Sequence, residues 1–509
     1  MNRRDFLARS SAALAAGTAA LPVLAEAGTA APAAASAPLS NPAERDAAFR
    51  ARLARDRRML GWRSAPTGGL SQQPRLEGRW PAGLKGSFYR NGPGLHDRAG
   101  QRYGHWFDGD GLIQHWQLDD SGAARFQARF VGTPKFQTEQ EAGRFLYPAG
   151  GGGMASERAM SGPDTINPAN TNLLTLADGG LWALWEGGSA SRVDAGTLDF
   201  GGFVTLAREL RGAPFSAHPR KGADGRIWNL GSMGTQLALY RLSPTGGLEA
   251  SRMHTIAPTG MVHDFILTSR SVVVVLPSTR LGDGDGFFAR VRPAPAEPIQ
   301  VLVFDRETLA LTRRAELPAG YVFHFGNGWE EDDGTIRFDM VHSANTDQVQ
   351  HLRAPMQGEM PPDDQSRSLL VTIAPSGATS LSRLVAEVEF PTINPRRTTT
   401  RNRYLYMAAR DGADADWFDA VAKVDLERGG VTHARYGRGW MAEEHLFVPR
   451  PGATREDDGW LVGTALHLPG ARTALTVFDA TRPSEGPLAR LWLDTALPLA
   501  FHSQFVAGA

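Results

Sequence analysis

The sequence predicts an all-β protein and favours a β-propeller. From about residue 70 onward, short β-rich runs alternate with turn segments in which Gly, Pro, Asp and Asn are frequent. In chain order these runs read LWALWE, RIWNLGS, SVVVVLP, IQVLVFD, TIRFDMV, RYLYMAA, WLVGTALHL, ALTVFDA and LARLWL. The chain contains 57 glycines and 33 prolines, a turn density that suits many short strands.

Two local patterns recur among these runs. An Asp-Gly turn precedes a strand in ADGGLWAL (177–184), ADGRIWNL (223–230), DDGTIRFD (332–339) and DDGWLVGT (457–464). VDAGTLDF (193–200) and FDRETLAL (304–311) are typical of the exit from a propeller blade. Divergent, irregularly spaced repeats of this kind indicate a propeller. About 430 residues over seven blades would give about 60 residues per blade, so the loops must be large.

A pair of β-sandwich domains is the alternative architecture. No change in composition marks a boundary between two domains, so one closed domain over residues 43–509 is the preferred interpretation. A helix is predicted near residues 41–59, which are rich in Ala, Arg and Asp. Large loops above a propeller usually build its functional site. The inner strands of its blades also bring residues from distant parts of the sequence together at one axis.

The N-terminal segment reads MNRRDFLARSSAALAAGTAALPVLAEAG. The pair Arg3-Arg4, an Ala-rich apolar run and a small-x-small site ending at Ala27 predict a twin-arginine signal peptide over residues 1–27. An Ala-rich disordered tail is the alternative. Residues 28–42 are then an Ala/Pro-rich linker, and the mature protein is expected in the periplasm. No later run of 18 apolar residues occurs, so no transmembrane helix is predicted.

Charge and cysteine content narrow the functional classes. Basic and acidic side chains both number 54, which gives no electrostatic reason to expect a nucleic acid or an anionic membrane as partner. The absence of cysteine excludes disulfides, thiolate metal ligands and cysteine nucleophiles. A transition-metal site in this chain would therefore consist of imidazole and carboxylate groups.

The stretch GHWFDGDGLIQHW (104–116) concentrates four possible metal ligands: His105, Asp108, Asp110 and His115. It fails as an EF-hand loop, because the central glycine and the closing glutamate of that loop are missing. We therefore expect an Asp-Gly turn with positive φ between two short strands, HWF and LIQHW, and no metal site here.

Four other histidines lie in unusual settings. His218 precedes a proline and a predicted hairpin, and His263 begins an apolar strand in MVHDFILTS. His324 lies between two phenylalanines in VFHFGNG, and His502 follows an apolar run close to the C-terminus. A single histidine among apolar residues is usually a hydrogen-bonded core residue. Four such cases in a chain without cysteine weaken that interpretation without excluding it.

With these residues the chain resembles the carotenoid cleavage oxygenase family, from about Gly78 to the C-terminus. The resemblance rests on FYRNGPG (88–94), GHWFDGDGLI (104–113), NPANTN (167–172), LWALWEGG (181–188), SAHPRKGADG (216–225), MVHDFILTSR (261–270), FHFGNGWEE (323–331), VEFPTINP (388–395), EEHLFVPRPGATREDDG (443–459) and FHSQF (501–505). It implies a seven-bladed propeller with a cap of loops and helix over an axial metal site.

The resemblance also implies a metal centre. One Fe(II) per chain would be held by His218, His263, His324 and His502. The carboxylates that match those of the family are Glu186, Glu389 and Glu444, and each would orient a ligand imidazole through its outer ring nitrogen. Thr171 matches a position that lines the vacant coordination site of the iron; an ordinary strand or turn residue is the alternative for it.

The implied reaction is cleavage of a carbon–carbon double bond by dioxygen, with an apolar conjugated small molecule as substrate and two carbonyl compounds as products. A carotenoid or apocarotenoid is the first substrate class. Stilbene cleavage is the second, because Tyr103 and Lys135 lie where stilbene-cleaving relatives hold a phenolic hydroxyl; a solvated surface lysine is the alternative for Lys135. A polyene isomerase with the same iron and a metal-free binding propeller are the remaining alternatives.

Three departures from the family pattern predict that the walls of the substrate tunnel are unusual, although the four histidines that would bind iron are all present. Ser503 stands where a glycine usually follows the fourth histidine, and His445 stands where proline is common. The segment 282–298 lacks the Gly-Val-Leu-Pro-Arg ending that is typical of many family members. Phe287-Phe288 in this segment could contact a membrane from which a lipid-soluble substrate is collected. An ordinary buried aromatic pair is the alternative.

Overall fold

Seven antiparallel sheets of four or five strands dominate the computed structural model, which describes Leu39 and residues 41–362, 365–415 and 417–508. Each sheet shares a hydrophobic cluster with the next one around the ring, so the sheets are the blades of a propeller. The prediction of an all-β, seven-bladed propeller is therefore confirmed. Each of the nine β-rich runs recognised in the sequence contains a strand.

In each of the first four blades, the strands lie side by side in the order given below, from the outer edge of the propeller to its axis. Blade 1 contains β1 Leu70–Gln72, β7 Ala124–Phe130, β6 Asp110–Leu118, β3 Gly86–Leu95 and β35 His502–Ala507. Blade 2 contains β11 Phe200–Phe203, β10 Ser191–Val193, β9 Leu181–Leu184 and β8 Asn172–Thr175. Blade 3 contains β15 Leu248–Thr255, β14 Gln236–Leu242, β13 Ile227–Met233 and β12 Arg220–Lys221. Blade 4 contains β21 Leu311–Leu317, β20 Ile299–Asp305, β17 Ser271–Leu276 and β16 Phe265–Leu267.

The other three blades have the same order. Blade 5 contains β26 Thr379–Ala386, β25 Arg367–Ile373 and β24 Ile336–Ser343, with β22 Tyr321–Val322 and β23 Gly328–Glu330 both paired to β24. Blade 6 contains β30 Val431–Arg435, β29 Ala420–Asp425, β28 Tyr404–Ala409 and β27 Val388–Thr392. Blade 7 contains β2 Arg75–Gly78, β34 Pro487–Trp492, β33 Arg472–Asp479, β32 Gly459–His467 and β31 Trp440–Pro449.

Short hairpins and helices extend from the blades. The hairpins pair β4 Asp97–Arg98 with β5 Gln101–Arg102, and β18 Thr279–Leu281 with β19 Val291–Pro293. The α-helices are α1 Pro42–Leu53, α2 Pro134–Ala142, α3 Phe287–Arg290 and α4 Asp347–Gln350. The 3₁₀ helices are Arg57–Trp62, Trp106–Asp108, Pro163–Ile166, Arg208–Leu210, His351–Gln357, Pro395–Arg397 and Pro483–Glu485. None of the helices in the described ranges is both long and apolar enough to span a membrane.

The two ends of the described chain close the ring. The C-terminal strand β35 pairs antiparallel with β3, where Asn91 is opposite His502 and Arg90 is opposite Ser503. The early strand β2 completes blade 7 by pairing with β34. Segments from both ends of the described chain are thus paired into blades 1 and 7, and the edges that remain are the short ones typical of propeller blades.

The hydrophobic core lies between the blades. One cluster joins blades 4 and 5, where Val273, Val301 and Val303 pack with Phe338 and Val371. The strand runs that the sequence shows as nearly continuous apolar segments are these doubly covered strands; β17 is buried along its whole length. Burial of both faces makes each blade depend on its neighbours for stability.

Helix α1 confirms the prediction of a helix near residues 41–59, with an earlier end. The Asn41 side chain caps it by accepting from the Ala43 N–H at 2.9 Å, and Pro42 occupies its first turn. The helix ends at Leu53, because Asp56 adopts an extended backbone and caps the 3₁₀ helix that follows. The predictions for residues 1–38, which include the signal peptide and most of the linker, lie outside the described residues.

The stretch GHWFDGDGLIQHW differs from its prediction. Its LIQHW part is strand, but HWF is not: residues 106–108 form a 3₁₀ helix in which His105 and Asp108 make reciprocal caps. Gly109 has φ −61°, so the expected turn with positive φ is wrong. Glycine is required at this point by space, because a Cβ on Gly109 would lie 2.7 Å from the His96 ring.

Candidate metal centre

Four histidines from four different blades meet at the centre of the propeller. His218 lies just before β12 in blade 3, His263 just before β16 in blade 4, and His324 between β22 and β23 in blade 5. His502 is the first residue of β35, the strand that closes blade 1. All four are buried, and one ring nitrogen from each lies within 4.8 Å of the others. The structure therefore brings together the four residues that the sequence singled out.

The spacing of the ring nitrogens fits a single metal ion. The Nε2 atoms of His218 and His263 are 3.0 Å apart, and those of His263 and His324 are 3.1 Å apart. Two ligands at right angles around one ion are separated by about 3.0 Å when each metal–nitrogen bond is about 2.1 Å long. Neutral imidazoles suit iron, zinc, copper and nickel, so the donor set fits a transition metal.

Three glutamates hold the outer nitrogens of three of these rings. Glu389 Oε2 lies 2.5 Å from His324 Nδ1, and Glu444 Oε1 lies 2.9 Å from His502 Nδ1. Glu186 Oε1 contacts His263 Nδ1 directly. Glu389 and Glu444 come from the inner strands of blades 6 and 7, whereas Glu186 follows β9 in blade 2. A carboxylate on Nδ1 fixes the ring orientation and leaves Nε2 as the donor atom.

The electrostatics of the cluster favour charged carboxylates at Glu389 and Glu444, and they act differently on individual histidines. Although burial lowers the pKa of His324, the charge of Glu389 raises it above the ordinary value. Burial and the neighbouring imidazoles hold the pKa of His218 well below its ordinary value. Burial also lowers the pKa of His502, although the charge of Glu444 opposes this. Although burial raises the pKa of Glu444, the contacts with His502, Arg90 and Ser503 together lower it. A metal-binding imidazole must be neutral, so the lowered pKa values of His218 and His502 favour binding of a cation by these two rings.

Sequence reasoning missed the residues that fix these carboxylates. Gln348 of α4 donates to Glu389 Oε1 at 2.8 Å. The backbone N–H of Phe390 donates to Glu389 Oε2 at 2.6 Å, and that of Ser503 donates to Glu444 Oε2 at 2.6 Å. The carboxylates are therefore held on both sides, and the ring that each one orients has little freedom to rotate.

Arg90 is a second residue to which the sequence motifs assigned no role. Its fully buried guanidinium forms an ion pair with Glu443 at 3.1 Å. It also donates to the backbone carbonyls that flank the fourth histidine, at Ala500 (3.0 Å) and Phe501 (3.1 Å), and to Ser503 Oγ (3.2 Å). Its position inside FYRNGPG and the Glu-Glu pair of EEHLF are the sequence signals that could have identified this clamp.

Two of the three departures from the family pattern, Ser503 and His445, have local partners. Ser503 takes part in the Arg90 clamp just described. His445 is buried, with its Nε2 2.7 Å from the Tyr436 hydroxyl and its Nδ1 2.9 Å from the Glu443 carbonyl. His445 follows Glu444 in β31 and Ser503 follows His502 in β35, and the histidine cluster is intact despite these changes.

A large, mostly apolar cavity of about 560 Å³ opens beside the histidines. His263, His324 and His502 reach its inner end. Its aromatic wall is formed by Trp106, Phe107, Phe287, Phe288, Phe323, Phe390, Trp417, Phe418 and Phe501. Residues from α2, α3, α4 and the 3₁₀ helix His351–Gln357 also line it, which is the predicted cap of loops and short helices.

Thr171 lies on the wall of this cavity. Its side chain is half-buried, its hydroxyl donates to Asn170 Oδ1 at 3.0 Å, and its backbone N–H donates to the Leu184 carbonyl. Asn170 is itself held by the carbonyls of Phe107 and Gly109. Thr171 therefore shares the cavity with the histidines on a fixed backbone, and its role at a vacant ligand position stays a prediction.

Tyr103 and Lys135 form one buried polar group on the same cavity wall. Lys135 Nζ lies 2.8 Å from the Tyr103 hydroxyl, 2.8 Å from Asp110 and 3.0 Å from Glu139. Although burial lowers the pKa of Lys135, the two carboxylates raise it well above the ordinary value. The alternative of a solvated surface lysine is wrong, since Lys135 is only 4% exposed. The ammonium and the phenol are thus fixed in place beside the cavity.

Phe287 and Phe288 have different environments. Phe288 lies within the cavity wall and stacks on His105 with 3.9 Å between ring centroids. Phe287 is 39% exposed, and so are two other apolar side chains that line the same cavity, Met233 at 50% and Leu281 at 38%. These three residues form an exposed apolar edge of the cavity, which we call the rim.

A propeller with four buried imidazoles at its hub and carboxylates behind them defines a class of proteins with an axial metal centre. The family model described as retinal pigment epithelial membrane protein matches residues 65–507 of the chain. The chain therefore belongs to this family, which is the carotenoid cleavage oxygenase family recognised from its motifs.

Named relatives agree with this assignment. The chain is 31% identical to apocarotenoid-15,15′-oxygenase of Synechocystis over 460 residues, which cover 84% of this chain and 92% of the relative. It is 28% identical to carotenoid 9,10(9′,10′)-cleavage dioxygenase 1 of Pisum sativum, with 85% and 86% covered. It is 25% identical to isoeugenol monooxygenase of Pseudomonas putida, with 84% and 93% covered. The chain is thus an enzyme of an oxygenase family.

Solved structures of the same family superpose on this fold. A variant of Synechocystis apocarotenoid oxygenase matches with a TM-score of 0.79 at 28% identity, covering 89% of this chain and 98% of that one. The cobalt-substituted form of the same oxygenase matches with a TM-score of 0.77 at 29% identity, covering 88% and 98%.

Proposed function

We propose that this protein is an Fe(II)-dependent dioxygenase that cleaves a carbon–carbon double bond of a carotenoid or apocarotenoid to give two carbonyl products. The observation that supports this most is the direct opening of the four-histidine cluster into a large aromatic cavity. His218, His263, His324 and His502 would hold the iron, which would supply a site for dioxygen beside the bound alkene.

The protein contributes binding, orientation and exclusion of water. The aromatic side chains favour a flat conjugated chain over water, because apolar surface is removed from solvent when such a chain binds. Glu186, Glu389 and Glu444 keep the ligand rings in one orientation, so the open side of the cluster faces the cavity. No side chain acts as nucleophile or general base in this scheme.

The direct test is aerobic incubation of iron-loaded protein with a carotenoid, an apocarotenal and a hydroxystilbene, followed by mass analysis of the products. We expect aldehydes or ketones from the carotenoid or the apocarotenal, each with one oxygen atom from labelled dioxygen. Rearranged polyene with no cleavage would identify an isomerase instead. Protein purified without chelator that neither contains nor binds iron would identify a binding propeller.

A second candidate is cleavage of a phenolic alkene such as a hydroxystilbene. The Lys135–Tyr103 pair favours it, because a fixed ammonium and a phenol at the cavity wall suit a phenolic hydroxyl. A carotenoid hydrocarbon would leave this polar pair without a ligand. The similarity to a relative named for isoeugenol, itself a phenolic alkene, points the same way.

Replacement of Tyr103 by Phe separates the two candidates. It removes one hydroxyl but leaves Lys135 paired with Asp110 and Glu139. If the substrate is phenolic, we expect kcat/KM for the hydroxystilbene to fall about tenfold. The reason is that the variant loses the hydrogen bond between the Tyr103 hydroxyl and the substrate, and a hydrogen bond that involves a charged group contributes about 1.5 kcal/mol. The value for the apocarotenal should stay within about twofold. Equal losses for both substrates would contradict recognition of the phenol at this position.

We also propose that the rim contacts a membrane surface, from which a lipid-soluble substrate is collected. Phe287, Met233 and Leu281 are exposed beside the cavity, and the chain as a whole carries no net charge. Uncharged phosphatidylcholine vesicles should therefore bind it. Phe287→Asp should lower binding in a sedimentation assay about thirtyfold, because one buried Phe contributes about 2 kcal/mol. Val431→Asp is the matched control, since Val431 is 37% exposed but does not line the cavity; equal loss in both variants would refute a specific contact.

Export by the twin-arginine route is a further part of the proposal. The Arg3-Arg4 pair and the Ala-rich run after it support it. Replacement of both arginines by lysine preserves the charge but should leave uncleaved full-length protein in the cytoplasm. Periplasmic accumulation of the double variant at the level of the parent protein would contradict this assignment.

A further inference from the structure

A second cavity also reaches the histidine cluster. It has a volume of about 170 Å³, enough for about five water molecules at about 30 Å³ each. His324 and His502 line both cavities. His263 lines only the aromatic cavity, and His218 lines only the second one. The ring of histidines therefore separates two compartments.

The period of the inner strands explains how the second cavity is built. Side chains two positions apart lie on the same face of a strand. Leu446 lies two positions after Glu444 in β31, and Gln504 lies two positions after His502 in β35. Arg220 begins β12, two positions after His218, which precedes that strand. All three line the second cavity and are half-buried, so they form its outer collar.

The second cavity is polar where the first is apolar. Asn172, Asp264, Glu444, Ser503 and Gln504 contribute oxygen or amide groups to its wall. The positive charge of Arg220 is matched by Asp264 at 2.6 Å, and the guanidinium also donates to the carbonyls of Phe265 and Phe325. The wall therefore presents oxygen atoms without an uncompensated positive charge.

We propose that this polar cavity, with its collar of Arg220, Leu446 and Gln504, is the route by which the hydrated metal ion reaches and leaves the four histidines. The inference rests on the proposed metal centre and adds a separate function for this cavity. A divalent cation is strongly hydrated, and its transfer into apolar surroundings is very unfavourable. The polar wall can replace waters one at a time, whereas most of the wall of the aromatic cavity is apolar and cannot.

Substrate and metal ion would then reach the histidines by different routes. Apolar substrate uses the aromatic cavity, and the ion uses the polar one, so the two molecules do not compete for one path. Neither path continues beyond the four histidines, because the ion stops there. A bulky side chain in the collar should consequently change how fast metal binds without changing how much is bound at equilibrium.

The test measures metal exchange in folded protein. Metal-free protein is mixed with Co²⁺, and binding is followed by the visible absorption of the ion; release is followed with an excess of chelator. Gln504→Trp and Leu446→Trp narrow the collar, and Met233→Trp places the same side chain at the rim of the aromatic cavity. We expect both collar variants to bind and release Co²⁺ at least about tenfold more slowly, with unchanged final metal content. Met233→Trp should match the parent protein.

Unchanged rates in both collar variants, or equal slowing by Met233→Trp, would overturn the proposed route. Absence of any Co²⁺ binding by the parent protein would instead contradict the metal centre itself, so the two failures are distinguishable. Circular dichroism of each variant verifies that it is folded before its rates are compared. A collar variant that folds but binds less Co²⁺ at equilibrium would also count against the route, because it would show an effect on the site and not on access to it.

Discussion

His263→Ala should yield a folded protein that has lost both its metal and its activity. The Nε2 atom of His263 is the one that lies 3.0–3.1 Å from two other ligand nitrogens, so its loss opens the middle of the cluster. It also leaves the carboxylate of Glu186 without the ring nitrogen it contacts. We expect metal affinity to fall about 100-fold or more, and product formation at least about a thousandfold.

Metal content per chain and product yield are the two measurements for this variant. His433→Ala is the control, because His433 lies on the outer strand of blade 6 and pairs with Asp411 at 3.0 Å. The control should retain the metal content and product yield of the parent protein. Retention of stoichiometric metal by folded His263→Ala would show that the ion is held elsewhere.

Arg90→Met should strongly destabilise the protein although it replaces none of the histidines. It removes a fully buried guanidinium and leaves Glu443 without its ion-pair partner. Breaking one partner of a buried pair costs about 3–5 kcal/mol, and we expect a loss of this size in the free energy of unfolding in urea. The carbonyls of Ala500 and Phe501, next to the fourth ligand, lose their donors as well.

The effect on the metal should accompany the effect on stability. Arg90 positions the chain on either side of His502, so we expect the metal affinity of folded Arg90→Met to fall about tenfold or more. The double variant Arg90→Met/Glu443→Leu removes both buried charges and should recover part of the lost stability but not of the lost metal affinity. Full metal affinity in folded Arg90→Met would contradict a positioning role.

The blades could be predicted from the sequence because their signals are local. Strands buried on both faces, such as β17 and β20, read as short apolar runs bounded by turn residues. The histidines could be singled out by their apolar surroundings, but only the resemblance to a family of known motifs grouped them. No local pattern contains the information that residues 218 and 502 approach each other across the hub.

The features that the sequence did not predict depend on contacts between distant segments of the chain. Lys135 is buried because Tyr103, Asp110 and Glu139 surround it. Without knowledge of these partners, a lysine is expected to be exposed to solvent. The 3₁₀ helix at residues 106–108 replaced the expected strand because His105 and Asp108 cap it reciprocally. The Arg90 clamp appears only when β35 returns to pair with β3 and closes the ring.

The central claim is that imidazoles from four blades hold one iron ion, and anomalous diffraction at the iron absorption edge tests it most directly. Crystals of protein purified without chelator should show one anomalous peak on the propeller axis, about 2.1 Å from a ring nitrogen of His218, His263, His324 and His502. Absence of a peak among these four rings in iron-loaded protein, or a peak bound by other side chains, would contradict the account.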